Sequence, residues 1–436
     1  MAKENAKHTA EELKQYQALP LDLKVELTRT RIQDWCRQFG GDVCVSFSGG
    51  KDSTVLLHLV RSYYPNVRAV FSDTGLEYPE IRKFAMSFDN VDVVRPRMRF
   101  DEVISTYGYP LIGKEVAEAI YYARRIRSHS VNVERERERE RKRVELHGES
   151  KRNSWETGRV QTHRDGGGRT KGKRELYRRT QFRRHAGVKQ IGATQEGDTF
   201  SNPDVQFGEK SIYNKEKYLP IARDLPVPIS HYCCMKMKKE PMKKYQRSNH
   251  VYPFLGNLAE ESRIRRQAWI RHGCNAYEST NPTSQPLSFW TEQDILKYIV
   301  QNGIEICSVY GDIVSVDGDG IEYPPVDLAG QITQKLKCTG CDRTGCVYCA
   351  FGFHNEKGKT RFQRLAETHP KLYEYSIGGG QWADNPAYDP TAPKMDGTWQ
   401  NWNPKKIWVP SKKGLGMGKV FDMVNEIYGK NFYRYE

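Results

Sequence analysis

Two groups of residues in this chain have the types and spacing that chemistry requires. The first is Ser48-Gly49-Gly50-Lys51-Asp52-Ser53, set between the short apolar run Val43-Cys44-Val45-Ser46-Phe47 and a helical pattern over 54–62. The two glycines remove side chains, so consecutive backbone N–H groups can converge on an anion, and the start of a helix adds its positive dipole end. Ser48 and Ser53 add hydroxyl donors, Lys51 a point charge, and Asp52 a carboxylate suited to a magnesium ion or to a helix N-terminus. This is the composition of a phosphate cradle, without the GxxxxGK[ST] spacing of a Walker loop. The second group is six cysteines: Cys233-Cys234, then Cys338 and Cys341, then Cys346 and Cys349. Thiolates two residues apart in a turn reach one soft metal centre, so this density points to zinc or iron–sulfur. The four within 338–349 would suffice for a zinc knuckle alone, whereas adjacent cysteines are an unusual zinc arrangement. Cys36, Cys44, Cys274 and Cys307 read as packing residues. His231, His354 and His369 read as structural histidines.

The elements that must hold the loop are legible around it. After the strand at 43–47 and the helix at 54–62 come a strand at 67–71, a helix at 79–88 and a strand at 91–94. Such alternation predicts a parallel sheet covered by helices, with ligands at the carboxyl ends of the strands. The first forty residues read as helical, with Leu13, Tyr16, Leu23, Leu27 and Ile32 as the apolar positions. Further on, helical patterns cover 114–127, 233–245 and 260–272, a strand covers 251–255, and Thr291 caps a helix over 292–300. The Gly-, Pro- and Asp-rich stretch 312–327 reads as a loop.

Charge is unevenly spread. The formal net charge is +15, and residues 121–190 hold 22 Lys and Arg against 9 Asp and Glu, an excess of 13. This favours a polyanion such as nucleic acid as partner, a solvated insertion over 128–185 being the alternative reading. The expected organisation is a helical segment at 1–40, a nucleotide-binding domain in two parts at 41–112 and 215–330, and a basic insertion at 113–214. A cysteine-rich module at 331–372 and a tail at 373–436 complete it. No apolar run approaches a bilayer span and ten cysteines suit a reducing compartment, so a cytoplasmic protein without a membrane partner is expected.

The phosphate loop resembles the PP-loop of the adenine-nucleotide α-hydrolase superfamily. Phe71-Ser72-Asp73-Thr74-Gly75-Leu76-Glu77-Tyr78-Pro79-Glu80 is similar to the second-strand element of its phosphoadenosine phosphosulfate (PAPS) reductase branch. Gly256 with Glu260-Glu261-Ser262-Arg263, and Pro286 to Thr291, extend the likeness to 40–112 and 215–370. The resemblance implies a HUP-like, Rossmann-like sheet. It implies ATP, PAPS or adenosine phosphosulfate (APS) bound by residues 48–53 with Asp73, Thr74 and Gly75, and Lys51 and Asp52 acting on the phosphates with Mg2+. Arg263 is expected to act with them as an oxyanion clamp. APS reductases and DNA-phosphorothioation sulfur-transfer enzymes pair an early Cys-Cys with a late Cys-x-x-Cys around a 4Fe–4S cluster. That likeness implies Cys233, Cys234, Cys346 and Cys349 as ligands, leaving Cys338 and Cys341 as extra ligands, a zinc pair or a redox dithiol.

Residues 350–436 contain no cysteine to serve as the C-terminal nucleophile of the reductases. The first expectation is therefore nucleotide activation and thiolation of a nucleic acid, with a sulfur-donor protein. A PAPS or APS reductase with thioredoxin is the second, and a catalytically silent nucleic-acid-binding regulator the third.

Overall fold

In the computed structural model, described over residues 6–124, 215–392 and 402–436, the alternating pattern becomes a six-stranded sheet. Strands β1 (Val43–Phe47), β2 (Arg68–Ser72), β3 (Val91–Val94) and β4 (Tyr252–Leu255) pair in parallel. The two-residue strands β5 (Asn275–Ala276) and β6 (Thr283–Ser284) complete the order β3-β2-β1-β4-β6-β5, with β5 antiparallel at the edge. Val45 of the central strand lies opposite both Ala69 and Phe254. Val43, Cys44, Val45 and Phe47 are all buried, which explains a continuous apolar run where a half-exposed strand would alternate.

Helices cover the sheet: α1 (Ala10–Gln17), α2 (Leu21–Gln38), α3 (Lys51–Tyr63), α4 (Pro79–Met86) and α5 (Phe100–Tyr107). Helix α3 buries Val55, Leu56, Leu59 and Val60 in the same core as Ile32 and Trp35 of α2. The inner stripe of α2 is Lys24, Thr28, Ile32 and Trp35, so its phase differs from the one expected, and Leu23 is exposed. Lys24 is tolerated there because its Nζ donates to Asp294 at 2.6 Å and to the Gln17 carbonyl at 2.7 Å.

Farther along, α6 (Glu240–Asn249), α7 (Arg263–His272) and α8 (Glu292–Asn302) form, the last capped by Thr291 as expected. The helix expected from Glu260 starts at Arg263, because a 3₁₀ turn over Ala259–Glu261 comes first and Ser262 then caps, accepting from the Arg265 N–H at 3.2 Å. The stretch expected as a loop at 312–327 instead contributes β7 (Ile313–Val316) and β8 (Glu322–Tyr323), joined by β9 (Lys335–Cys338) in an antiparallel sheet. Its Asp and Gly residues close a tight turn: the Asp317 carboxylate accepts the Asp319 and Ile321 N–H groups at 3.0 and 2.9 Å.

Contacts divide the chain into two compact units. The first comprises Met1–Ala117, Val227–Ala383 and Ile407–Glu436, and holds both candidate groups. The second comprises Glu118–Pro226 and Asp384–Lys406. Within it the half-buried Arg124 guanidinium donates to the Ile221, Ala222 and Leu225 carbonyls and lies 4.2 Å from the Trp402 ring. Residues 114–124 are helical, whereas the expected insertion at 128–185 and most of the basic stretch 121–190 lie outside the described residues. No helix among the described residues is long and apolar enough to cross a membrane.

Candidate functional site

The phosphate loop leaves the carboxyl end of β1, where the sheet order turns from β2 on one side to β4 on the other. Crevices for ligands form at such switch points. Helix α3 begins at Lys51, three residues earlier than expected, so Lys51, Asp52 and Ser53 form its first turn. Gly49 holds φ +71°, and a Cβ there would stand 3.1 Å from Ile81. A Cβ on Gly256, just after β4, would stand 3.1 Å from the Ser53 backbone, so a glycine lets β4 approach the loop.

The loop is held closed. The Ser48 N–H donates to Ser53 Oγ at 3.2 Å, and the two serine hydroxyls are 3.0 Å apart. The Lys51 N–H donates to Tyr310 Oη at 3.1 Å, and that hydroxyl shares a 2.7 Å bond with Thr344 Oγ1. Lys51 is 4% exposed; its Nζ donates to the Asp342 carbonyl at 2.6 Å and pairs with Glu292 at 3.0 Å. Burial opposes its charge, but Asp52 and Glu292 outweigh burial and hold the ammonium pKa above its ordinary value. Burial raises the Asp52 carboxyl, against the lowering effect of Lys51, Arg343 and Arg265. Asp52 Oδ1 is buried with no hydrogen-bond partner among the described residues, a place for a cation or a proton.

The second-strand element lies beside the loop. The Asp73 carboxylate accepts from Arg82 and Arg95 at 3.2 Å, and the Thr74 hydroxyl donates to Glu77 at 2.8 Å. Gly75 supplies a left-handed turn at φ +72°. The Asp73 and Thr74 side chains, expected on a nucleotide, thus have protein partners here. Glu77 also pairs with Lys238 at 3.2 Å, which connects this element to the cysteines.

Cys233, Cys234, Cys346 and Cys349 line one partly open cavity of about 20 Å³, with Leu76, Phe100, Pro110, Met237 and Lys238 as the rest of its wall. A π-helical turn over Met235–Lys239 follows the first pair and swings Met237 and Lys238 to the same wall. Cys233 and Cys234 sulfurs are 3.9 Å apart. The hydrogen bond from Cys233 lowers the Cys234 thiol pKa, helped by the charges of Lys114, Lys238 and Lys239. Burial pushes Cys346 up to about 12 against Lys238, and raises Cys349 against Arg361. Among the described residues no group of three or more His, Cys, Asp and Glu is arranged to hold a metal ion. Four soft donors around an apolar space fit a soft metal centre, zinc or iron–sulfur.

Cys338 and Cys341 lie apart from that cavity. Cys338 is buried in β9, opposite Ile313, within reach of the charges of Lys51 and Glu292. Cys341 faces Tyr78 and Arg364. Cys36, Cys44, Cys274 and Cys307 are buried, as packing residues should be. Arg263 is exposed, and the guanidinium groups whose charge reaches Asp52 are Arg265 and Arg343, both facing Glu261. Sequence reasoning missed these two, together with Glu292, Tyr310 and Thr344. The Ser262 cap was the one local signal, since it sets the phase that turns Arg265 inward.

The model of the phosphoadenosine phosphosulfate reductase domain family matches residues 42–112 and 173–351, more than half of the chain. An uncharacterised protein of Methanocaldococcus jannaschii is 33% identical over 84 residues, 18% of this chain and 20% of that protein. The chain thus spans about one fifth of that relative's length. A crystal structure of the PAPS reductase of Candida auris, in complex with phosphate, is similar over 70% of this chain and 92% of that one. Its identity is 12% and its TM-score 0.30.

Proposed function

Because the chain belongs to the phosphoadenosine phosphosulfate reductase family, we propose that it binds an adenine nucleotide at residues 48–53 and transfers sulfur beside a 4Fe–4S cluster, thiolating a nucleic acid. The observation that carries this reading is the convergence of Cys233, Cys234, Cys346 and Cys349 on one apolar cavity tied by Lys238 and Glu77 to the element beside the phosphate loop. Those four thiolates would hold the cluster, which supplies a redox-active, sulfide-rich centre when bound.

The chain's own residues do the rest. Lys51, Ser48 and Ser53 bind and orient the phosphates, and Asp52 would hold Mg2+, which supplies positive charge to stabilise them. Arg265 and Arg343 neutralise charge at the mouth of the loop. In the activating step an acceptor oxygen forms a bond to the α-phosphorus, and the bond to the β-phosphate oxygen breaks. Pyrophosphate leaves with the electron pair; sulfide-level sulfur from the donor then bonds to the activated acceptor atom as that atom's bond to the adenylate oxygen breaks, and AMP leaves with those electrons. The acceptor is a nucleic acid because the basic excess over 121–190 suits a phosphate backbone.

Anaerobic purification with iron, sulfide and visible-absorption analysis tests the cluster; about four irons per chain are expected. Turnover separates the chemistries. Pyrophosphate released from ATP only when DNA or RNA is added supports thiolation. Sulfite formed from PAPS or APS with thioredoxin would make the protein a reductase. Nucleotide binding without either product would make it a silent regulator.

A further inference from the structure

Three consecutive residues between the two Cys-x-x-Cys pairs reach the nucleotide-binding elements. The Asp342 carbonyl accepts from Lys51 Nζ at 2.6 Å, Arg343 pairs with Glu261 at 3.0 Å, and Thr344 shares its hydroxyl with Tyr310 at 2.7 Å. Tyr310 is 2% exposed, and its hydroxyl takes the Lys51 N–H at 3.1 Å. A Cβ on Gly50 would stand 3.2 Å from Tyr310 Oη and 3.3 Å from Thr344 Oγ1, so both hydroxyls crowd the loop itself. An amide at the start of a helix is where an oxyanion binds, and here a neutral hydroxyl takes that place. Glu292, 3.0 Å from Lys51, supplies the negative charge that a phosphate would bring. The base of this segment is fixed by the Gly340 and Cys341 N–H groups, which donate to the Tyr310 and Val309 carbonyls at 2.8 and 2.9 Å. Its far end leads to Cys346 and to Val347, whose N–H donates to the Leu76 carbonyl at 2.8 Å, both Cys346 and Leu76 being cavity wall.

We infer that residues 342–344, with Tyr310, form a strap that occupies the oxyanion positions of the phosphate loop and yields to nucleotide, so that nucleotide occupancy is transmitted to the cysteine cavity. The strap rests on the reading of residues 48–53 as a nucleotide site. Phosphate displaces it because a charge-assisted bond to the Lys51 amide is stronger than one to a tyrosine hydroxyl. Coupling is reciprocal: whatever fills the cavity and fixes Cys346 alters nucleotide affinity by the same factor.

The test is ATP affinity, and separately PAPS affinity, of full-length wild type, Tyr310→Phe and Thr344→Val. Tyr310→Phe leaves the Lys51 N–H unsatisfied in the closed form alone, so it should bind about five- to tenfold more tightly. Thr344→Val, at a half-buried position, should move the same way and serves if Tyr310→Phe does not fold. Hydrogen exchange at Gly340 and Cys341 should accelerate when wild type is saturated with ATP. Unchanged or weaker affinity in both variants, or slower exchange at those amides, overturns the strap while leaving the nucleotide site standing. If wild type binds neither nucleotide, the site and the strap fall together.

Discussion

Cys349→Ser protein is expected to purify without most of its iron and visible absorbance, whereas Cys338→Ala protein should keep both. Cys349 is one of four thiols on the cavity wall; its backbone carbonyl is held by Arg361 at 3.0 Å, and Glu356 in turn holds the Arg361 Nε at 2.6 Å. The sulfur is therefore positioned by its own segment, and serine in that place offers a harder, poorer donor to a soft metal. Of the three remaining thiols, burial raises Cys346, and the Cys234 hydrogen bond together with burial raises Cys233, so these two protonate rather than compensate. Metal affinity should fall by more than the roughly 10- to 100-fold typical of removing a residue that only supports a ligand. Iron and sulfide analysis of both variants, purified side by side without oxygen, decides the matter. Equal loss in Cys338→Ala would show that the four-cysteine assignment is wrong.

The second large effect belongs to Lys51. Its ammonium is buried, stays protonated at neutral pH because Asp52 and Glu292 outweigh its desolvation, and sits at the start of the loop helix. Lys51→Met keeps the length of the side chain and removes the charge. Nucleotide turnover should drop on the order of a hundred- to a thousandfold, as when a preorganised charge-stabilising donor is deleted. Folding is endangered less than turnover, because the Asp342 carbonyl and the Glu292 carboxylate, 48% exposed, can turn to water. Glu292→Gln is the informative partner: it frees Lys51 from its ion pair and should leave nucleotide affinity equal or higher. Steady-state kinetics of both variants with ATP and PAPS check this. A Lys51→Met enzyme within threefold of wild type (about 0.7 kcal/mol) would remove the loop from the reaction.

How much of this was legible in the sequence follows from how local each signal is. Strands β1 and β3 stand where the sequence pattern placed them; for β1 the reason is burial, which writes itself as a nearly uninterrupted apolar run. The two-residue strands β5 and β6 carry no period at all. The hairpin of β7 and β8 was hidden because Asp317, Gly318 and Gly320 read as loop residues, although they form the tight turn that joins two strands. Four cysteines could be grouped because thiols are rare and paired spacing is informative, and the cavity assembles those four without Cys338 and Cys341. The closure of the phosphate loop had no sequence signal: Tyr310 is 259 positions from Lys51, and a tyrosine after a short apolar stretch says nothing about its target. The choice of Arg265 over Arg263 turned on where a helix starts, and a shift of two residues along a helix carries a side chain to another face.

Lys24 gives this architecture a built-in reporter. Its side chain is 1% exposed and bound to Asp294, two residues from the carboxylate opposite Lys51. Trypsin cannot cut after a lysine locked in this way until α2 and α8 part. The first appearance of the fragment ending at Lys24 would therefore time the moment when the scaffold behind the loop gives way, and a ligand that tightens the loop should delay it.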